Sequence, residues 1–488
     1  MMSGMSDYKP TIGLEVHAEL KTRTKMFCDS LNDPDEKHPN VNVCPVCLGH
    51  PGALPVPNRK AVEHVLRVGI ATGGEPQARS RFDRKNYFYP DLPKAYQISQ
   101  NGLPLVVGGA LHGVKINHIH LEEDAGKLVH DDASGDTLVD YNRGGVPLME
   151  LVTEPDIHSA EDAVAFMREL QLVLRYLGAS DADLERGQMR ADANISVSAA
   201  ADGALGTRAE VKNLNSFNAV FQAINYEITR QTELLEKGER VAQETRGWDD
   251  VRQRTTAQRS KEEAQDYRYF PEPDIPPIET AKAFDIDALR ASVPELPAAK
   301  RTRFMKEYGL DEKRANALVN EVALANYFEE AVSELGEDIA KERDAAAFLR
   351  ASGTVYAYLT SDLRGLMNQE GAGFPDLKVS PAAIEQLATL IQKDAITSRV
   401  AKDLLAQMFA TGATPAEIMK QSDIGIVESD EVAAVVIAVI AEHGAAVADY
   451  KKGKTASLQF LIGQAMRRLQ GRARPDMLKE LFEKQLTS

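Results

Sequence analysis

Cysteine is scarce in this chain: three residues among 488, too few for a disulfide framework and in keeping with a reducing, cytoplasmic setting. Long apolar runs are missing as well. Nothing approaches the roughly 18 consecutive apolar residues that mark a membrane span, so no membrane partner is expected. Hydrophobic residues still make up 43% of the chain, enough for sizeable cores, and the length suggests two to four domains. The opening Met1-Met2-Ser3-Gly4-Met5-Ser6 has neither a basic start nor an apolar leader segment, so no secretory signal is expected, and its three methionines leave the initiating one open. A phosphate loop is absent too: Gly453-Lys454-Thr455 ends like one, but the position that needs the earlier glycine is Ala448. Positive charge is also in short supply. Lysine and arginine number 57 against 73 acidic residues, a net charge of −16, which excludes a uniformly basic nucleic-acid-binding surface and restricts any such contact to a local patch.

What is present is a series of alternating acidic segments. In Ile12-Gly13-Leu14-Glu15-Val16-His17-Ala18-Glu19-Leu20 the apolar residues recur at every second position, the period of a half-buried strand, so Glu15, His17 and Glu19 line the other face. Carboxylates and an imidazole in a row on a rigid strand suit a divalent cation, since hard ions such as Mg²⁺ prefer carboxylate oxygen. An amphipathic strand with a solvated acidic face is the plainer alternative. The segment His118-Ile119-His120-Leu121-Glu122-Glu123-Asp124-Ala125-Gly126-Lys127 adds three adjacent carboxylates, whose mutual repulsion calls for a cation or a basic group. On a strand period His118, His120, Glu122 and Asp124 share one face and Glu123 opposes them. Glu150 stands between Met149 and Leu151, an apolar setting in which a carboxylate needs a partner. Glu15, His17, Glu123 and Glu150 are accordingly expected to form one Mg²⁺ site, with Glu122 and Asp124 as neighbours or second ligands. Histidine is an uncommon Mg²⁺ ligand, so His17 either orients a water or favours Mn²⁺.

Longer strings follow in order along the chain: Phe82-Asp83-Arg84-Lys85-Asn86-Tyr87-Phe88-Tyr89-Pro90-Asp91 with Pro93-Lys94-Ala95-Tyr96-Gln97-Ile98-Ser99-Gln100, then Val139-Asp140-Tyr141-Asn142-Arg143-Gly144-Gly145-Val146-Pro147-Leu148-Met149-Glu150. Arg190-Ala191-Asp192-Ala193-Asn194-Ile195-Ser196, Lys212-Asn213-Leu214-Asn215-Ser216-Phe217 and Asp266-Tyr267-Arg268-Tyr269-Phe270-Pro271-Glu272-Pro273-Asp274 complete the set. Together they resemble the B-subunit family of the aspartyl/glutamyl-tRNA(Asn/Gln) amidotransferases over essentially the whole length. The resemblance implies an α+β protein: a β-rich catalytic cradle related in fold to glutamine synthetase, then an all-α helical domain and a small α-helical tail domain. It implies ATP-dependent conversion of misacylated Glu-tRNA(Gln) to Gln-tRNA(Gln), or of Asp-tRNA(Asn) to Asn-tRNA(Asn), in a heterotrimer. An amidase partner, the glutaminase of the assembly, would hydrolyse glutamine, a small third partner would join the two larger chains, and ammonia would arrive through an internal channel. No serine–lysine or cysteine–histidine arrangement in this chain qualifies as a glutaminase centre, which agrees with that division of labour.

The chemistry such a chain would perform follows from the leaving group. A side-chain carboxylate is a poor acceptor for ammonia, and ATP solves this by converting it to an acyl phosphate that ammonia attacks. The protein then has to hold Mg²⁺, align phosphates and spread charge. Glu15, His17, Glu122, Glu123, Asp124, Lys127, Arg143 and Glu150 are the expected catalytic set. Arg84, Lys85, Asn86, Tyr87, Arg190, Asp192, Asn194, Lys212, Asn213 and Asn215 are the expected ATP and substrate contacts. Two other readings stand beside this one: a tRNA-binding protein with no chemistry of its own, and a free-standing amide ligase for a small metabolite.

The three cysteines form a candidate zinc knuckle, Cys28 with the pair in Cys44-Pro45-Val46-Cys47. The family resemblance leads one to expect a further cysteine two residues after the first, where this chain has Ser30. Either His38 or His50 completes the site, or the loop stands without metal. At the other end, residues 451–488 hold nine cations against three anions, so the rest of the chain carries about −22. Lys451, Lys452, Lys454, Arg467, Arg468, Arg472 and Arg474 are the expected tRNA contacts, set on a helix whose apolar face is Leu458, Leu461, Ile462, Ala465 and Leu469. A basic helix that only aids solubility is the plainer reading. Composition changes near Pro294 and Pro297, and turn-rich breaks at Gly371 to Pro375 and Gly412 to Pro415 divide the helical half. The expected domains are therefore 1–293, 294–411 and 412–488. Before the first boundary, Ser216 is the expected cap of a helix from Phe217 to Leu235.

Overall fold

The computed structural model describes residues 8–131, 133–199, 204–260, 266–342, 345–421 and 429–487; Met1, Met2 and Met5 lie outside the described residues. Two compact units emerge, Met1–Pro297 and Ala298–Ser488. The passage between them comes at the start of helix Pro297–Tyr308, where the missing proline N–H costs nothing.

The first unit is built on a ten-stranded sheet. Its principal strands are β1 (Tyr8–Glu19), β2 (Val114–Glu123), β3 (Pro147–Thr153), β4 (Met189–Ala199), β5 (Ala209–Leu214), β6 (Glu244–Asp249) and β7 (Arg254–Ser260). They lie in the order β7-β6-β5-β4-β1-β3-β2, with short strands continuing the edge beyond β2. All these pairs are antiparallel except β5 with β6. Alternation in β1 turns Ile12, Leu14, Val16 and Ala18 to one face, where each is at most 1% exposed. Helices α1 (Arg59–Ala71), α2 (Ala160–Tyr176) and α3 (Phe217–Glu236) contribute Val65, Phe166, Leu170, Val220 and Ile224 to the same core. Full burial of each such large side chain stabilises by about 1.5–3 kcal/mol. Caps fix the helix starts: Ser159 Oγ accepts from Asp162 N at 3.0 Å, and Ser216 Oγ accepts from Ala219 N at 3.0 Å. With one face of the sheet covered by helices, the polar residues of β1, β2, β3 and β4 share the opposite face.

The second unit is helical. Gly412 takes the left-handed conformation, φ 78°, that closes the helix Ser398–Thr411, and Pro415 opens the next one. Near the C-terminus, Leu458, Leu461, Ile462, Ala465 and Leu469 are buried and pack with Val436, Leu478 and Phe482 in a core of their own. The chain is thus a mixed α/β protein with a β-rich first unit and a helical second.

Candidate functional site on the open face of the sheet

Strand register builds the site. His17 of β1 lies opposite Glu150 of β3 on one side and Arg190 of β4 on the other, and Glu150 lies opposite His120 of β2. Directly opposed residues point to the same face, so one rung across four strands presents Arg190, His17, Glu150 and His120 together. The rung on one side carries Asp192, Glu15 and His118, and the rung on the other pairs Glu19 and Glu122 with Leu148.

The centre of this face is a carboxylate–imidazole cluster. His17 Nε2 stands 3.2 Å from Glu150 Oε2 and 3.7 Å from Glu122 Oε1, while His120 Nε2 is 3.4 Å from the same Glu150 oxygen. Ligand atoms of His17, Glu122 and Glu150 all fall within 4.8 Å of one another, a set that fits one divalent cation. Burial alone would raise the Glu150 carboxyl, but His120 and His17 hold it well below the usual range. Burial likewise pulls both imidazoles down, and Glu150 and Glu122 together outweigh it, leaving both raised.

Two expected Mg²⁺ ligands lie elsewhere. Glu123 ends β2 on the opposite face, where its carboxylate accepts from Ile98 N at 2.9 Å and is paired with buried Lys94. The strand period places its neighbour Glu122 in the cluster instead. Glu15, one rung along, belongs to a second group with Asp192 and Glu210. There Lys212 Nζ reaches Asp192 at 2.8 Å and Glu210 at 2.9 Å, Asn194 Nδ2 donates to Glu15 at 2.9 Å, and Asn213 N donates to Asp192 at 2.7 Å. A cleft of about 270 Å³ opens beside this group, lined by Gly13, Glu15, Asn194, Ser196 and Arg208. Asn215 is exposed, one residue before the cap of α3.

On the far side Asp124 is held by Arg190 at 3.2 Å and faces Arg143 at 3.8 Å. Its neighbour Glu19 is pushed up to about 8 by burial and by the Asp124 charge. Arg143 donates to Ala125 O at 3.0 Å and Gly126 O at 2.8 Å, fixing the turn after β2. Lys127 is exposed and lines a cleft of about 220 Å³ with Glu19, Arg143 and Arg186.

The Phe82–Asp91 string divides into two roles. Lys85 is lowered by burial and raised more strongly by Glu122, Tyr269 and Glu150, which leaves its ammonium as a charge partner of the cluster. The other three side chains are engaged in structure. Arg84 makes a two-pronged contact with Glu272 at 2.6 and 2.9 Å and stacks over Tyr96. Asn86 donates to the Tyr267 and Arg268 carbonyls at 3.1 and 2.8 Å, and Tyr87 packs edge-on against Tyr267. These three fasten the 267–272 segment. The expected set omits His120 and Glu19 on this face and Lys94, the partner of Glu123, on the opposite one. His120 and Glu19 lay open in the strand period, whereas Lys94 comes from a loop with no periodicity to expose it.

The three cysteine sulfurs also converge, all within 4.8 Å of one another, and neither His38 nor His50 belongs to the group. His38 instead sits 3.0 Å from Glu36. In the second unit Arg467 and Arg472 line a groove of about 970 Å³ with Arg399 and Gln470. Lys451 and Lys452 are exposed, Lys454 pairs with Asp449 at 3.0 Å, Arg468 with Glu442, and Arg474 with Asp394 at 3.4 Å. No single helix among the described residues is long and apolar enough to cross a membrane.

Comparison with known proteins meets this geometry. Residues 10–285 match the GatB/GatE catalytic domain, and residues 326–486 match the GatB domain. The chain is 46% identical to a protein of Thermomicrobium roseum, 43% to one of Carboxydothermus hydrogenoformans and 41% to one of Brevibacillus brevis. Each alignment covers 98–99% of this chain and 99–100% of the relative, and each relative is named as the B subunit of an aspartyl/glutamyl-tRNA(Asn/Gln) amidotransferase. With both domains matched and full-length relatives above 40% identity, this chain belongs to the B-subunit family of the aspartyl/glutamyl-tRNA(Asn/Gln) amidotransferases.

Proposed function

We propose that the chain carries out the amide-forming half of tRNA-dependent amidation, converting Glu-tRNA(Gln) or Asp-tRNA(Asn) to the glutaminyl or asparaginyl form. The observation that carries this reading is the His17–Glu122–Glu150 cluster on a full-length relative of the B subunits. Its donor set suits Mg²⁺, which when bound would neutralise phosphate oxygens and polarise the phosphoryl group being transferred. ATP is the second substrate in this reading, and its γ-phosphoryl group passes to the side-chain carboxylate.

The chain's own residues serve that transfer by position. Arg190 and Lys85 flank the cluster with fixed positive charge, placed to hold an incoming carboxylate and a developing phosphate. Asn194 and Arg208 line the cleft beside Glu15 and suit the nucleotide, with Lys212 held on Asp192 in the neighbouring acidic group. Acyl phosphate formation replaces a poor leaving group with a good one, and attack by ammonia then gives amide and phosphate. Membership of a B-subunit family fits work in a complex: a glutaminase partner of amidase type to supply ammonia, and a small third partner to make a heterotrimer. We assign the first unit the catalytic role on a glutamine-synthetase-like cradle of residues 1–293. The helical segment 294–411 leads to a tail, 412–488, and Arg399 of the first with Arg467 and Arg472 of the second line a groove that suits tRNA phosphates. The setting is cytoplasmic.

The test is amide formation on Glu-tRNA(Gln) and Asp-tRNA(Asn) with ATP, Mg²⁺ and free ammonium but no glutamine. The assembly with its partner chains is compared with a Glu150→Ala version. Activity in the first and none in the second supports the reading. Full activity in the variant overturns the metal site, and no amidation of either tRNA by the wild type overturns the function.

A further inference from the structure

We infer that Phe88, Tyr89, Tyr269 and Phe270 form a stacking platform for the single-stranded 3′ end of the RNA whose amino acid is amidated. The inference deepens the amidation reading and rests on it. Among the described residues these four are the exposed aromatic side chains of the first unit, and Phe88 is 85% exposed. Single apolar residues scattered over a surface need no explanation, whereas rings gathered in two adjoining segments mark a place of contact.

Those segments are far apart in sequence and joined in the fold. Strand Asp83–Asn86 pairs with Phe270 and Pro271, and Asn86 N donates to Tyr267 O at 2.9 Å. Tyr267 stands in edge contact with Tyr87 and with Tyr269, ring centres 5.9 and 6.0 Å away. Lys85 Nζ is 5.1 Å from the centre of the Tyr267 ring, and the Arg84 guanidinium is 5.8 Å from that of Phe270. Half-buried Tyr87 and Tyr267 thereby anchor the two segments, while their neighbours in sequence stay open to solvent.

Position selects the occupant. Lys85 links the platform to the acidic cluster, since Glu122, Tyr269, Glu150 and Tyr267 all act on its ammonium. Burial raises the Tyr269 hydroxyl; Lys85 opposes this, and the charges of Glu122 and Glu150 add to it. In the amidation reading, the carboxylate that meets this cluster hangs on the last ribose of an RNA. Only that ribose and one amino acid separate it from the terminal base, so the base comes to rest beside the cluster, where these rings are. Unpaired bases are held by stacking on aromatic side chains, a contact that tolerates any base and so suits RNAs of different sequence. Arg268, exposed and bound to Asp266 at 3.3 Å, adds a guanidinium to the rim for phosphate.

The experiment uses the assembled complex: wild type, Phe88→Ala, Tyr269→Ala and Tyr269→Phe. Each is titrated with uncharged tRNA(Gln) and tRNA(Asn), intact or trimmed of the unpaired 3′ nucleotides, and assembly is followed by sedimentation. Each alanine change should weaken binding of intact tRNA about tenfold and leave trimmed tRNA bound as tightly as by the wild type. Tyr269→Phe keeps the ring and should keep the wild-type preference for the intact end. In amidation with saturating ammonium, the alanine changes should raise KM for aminoacylated tRNA and not for ATP. Unchanged binding overturns the inference, as does an equal loss for intact and trimmed tRNA. Dissociation of the variant complexes overturns it too, and gives the rings to a partner chain. If the wild type binds neither tRNA, the amidation reading falls with it; if the wild type amidates and the variants bind as it does, this inference alone falls. Phe88 is so exposed that its removal costs little packing, and Phe88→Ala decides the matter if Tyr269→Ala does not fold.

Discussion

Two carboxylate clusters occupy adjacent rungs of one sheet face, and they are balanced in opposite ways. Around Glu15, Asp192 and Glu210 the counter-charge belongs to the protein: Lys212 bonds two of the three acids, and Asn194 donates to the third. Around His17, Glu122 and Glu150 the ion-pair partners of the carboxylates are the imidazoles of His17 and His120, whose charge comes and goes with a proton. The same alternating pattern produces both. Lys212 is ion-paired to its acids and satisfies that row internally, whereas Lys85 faces the other cluster with no ion pair to it among the described residues, which leaves that cluster able to take up a cation.

The strongest way to break this contrast is to remove the shared acid of the cation-ready cluster. Glu150→Gln keeps the shape and removes the charge, so amide formation with saturating ammonium should fall at least about 100-fold, worth about 2.7 kcal/mol. The corresponding change in the other cluster, Glu210→Gln, should cost less than about tenfold, because Lys212 retains Asp192. Equal losses would mean that the two clusters act as one site. A sharper comparison separates neighbours in sequence. Glu122→Gln should raise the Mg²⁺ concentration for half-maximal activity by about tenfold, whereas Glu123→Gln, on the opposite face with Lys94, should leave that midpoint unchanged. A shifted midpoint in Glu123→Gln would return it to the metal.

That pair also marks how far the sequence could be read. Period-2 alternation correctly divides β1 and β4 into an apolar and a polar face, and the cap at Ser216 locates α3 to within a residue of its end at Glu236. The same period applied strictly to β2 selects Glu122 over Glu123. Spacing within a strand does not reveal register between strands, so it could not show that Glu15 pairs with Asp192 while His17 meets Glu150. Nor does a motif string separate its members by task. Arg84 and Lys85 are adjacent, yet one is spent on Glu272 and the other acts on the acidic cluster.

A smaller effect tests the self-balanced cluster. Lys212→Met leaves Asp192 and Glu210 without their shared cation and should lower stability by about 1–2 kcal/mol, since the lysine is partly solvated. Millimolar Mg²⁺ should restore part of the loss in melting temperature, turning this cluster into a copy of its neighbour. A variant destabilised equally with and without Mg²⁺ would show that carboxylate number alone does not make a cation site.

Glu19 gives the finest probe, because it lies on the same face with an acid rather than a base as its neighbour. Its carboxyl titrates near 8 in the folded chain, against an ordinary value of 4.5, as burial and Asp124 disfavour its charge. The folded state therefore holds this proton more tightly than the unfolded state does. Its contribution to stability is complete below about pH 4.5, declines as pH rises, and is gone above about pH 8. Glu19→Gln removes the titration while keeping a donor toward Asp124. The variant should match the wild type at pH 4.5 and exceed it at pH 9 by up to about 5 kcal/mol, read as a difference in melting temperature that widens across the interval. A constant offset at every pH would place Glu19 among ordinary solvated carboxylates, with Asp124 then balanced by Arg190 and Arg143 alone.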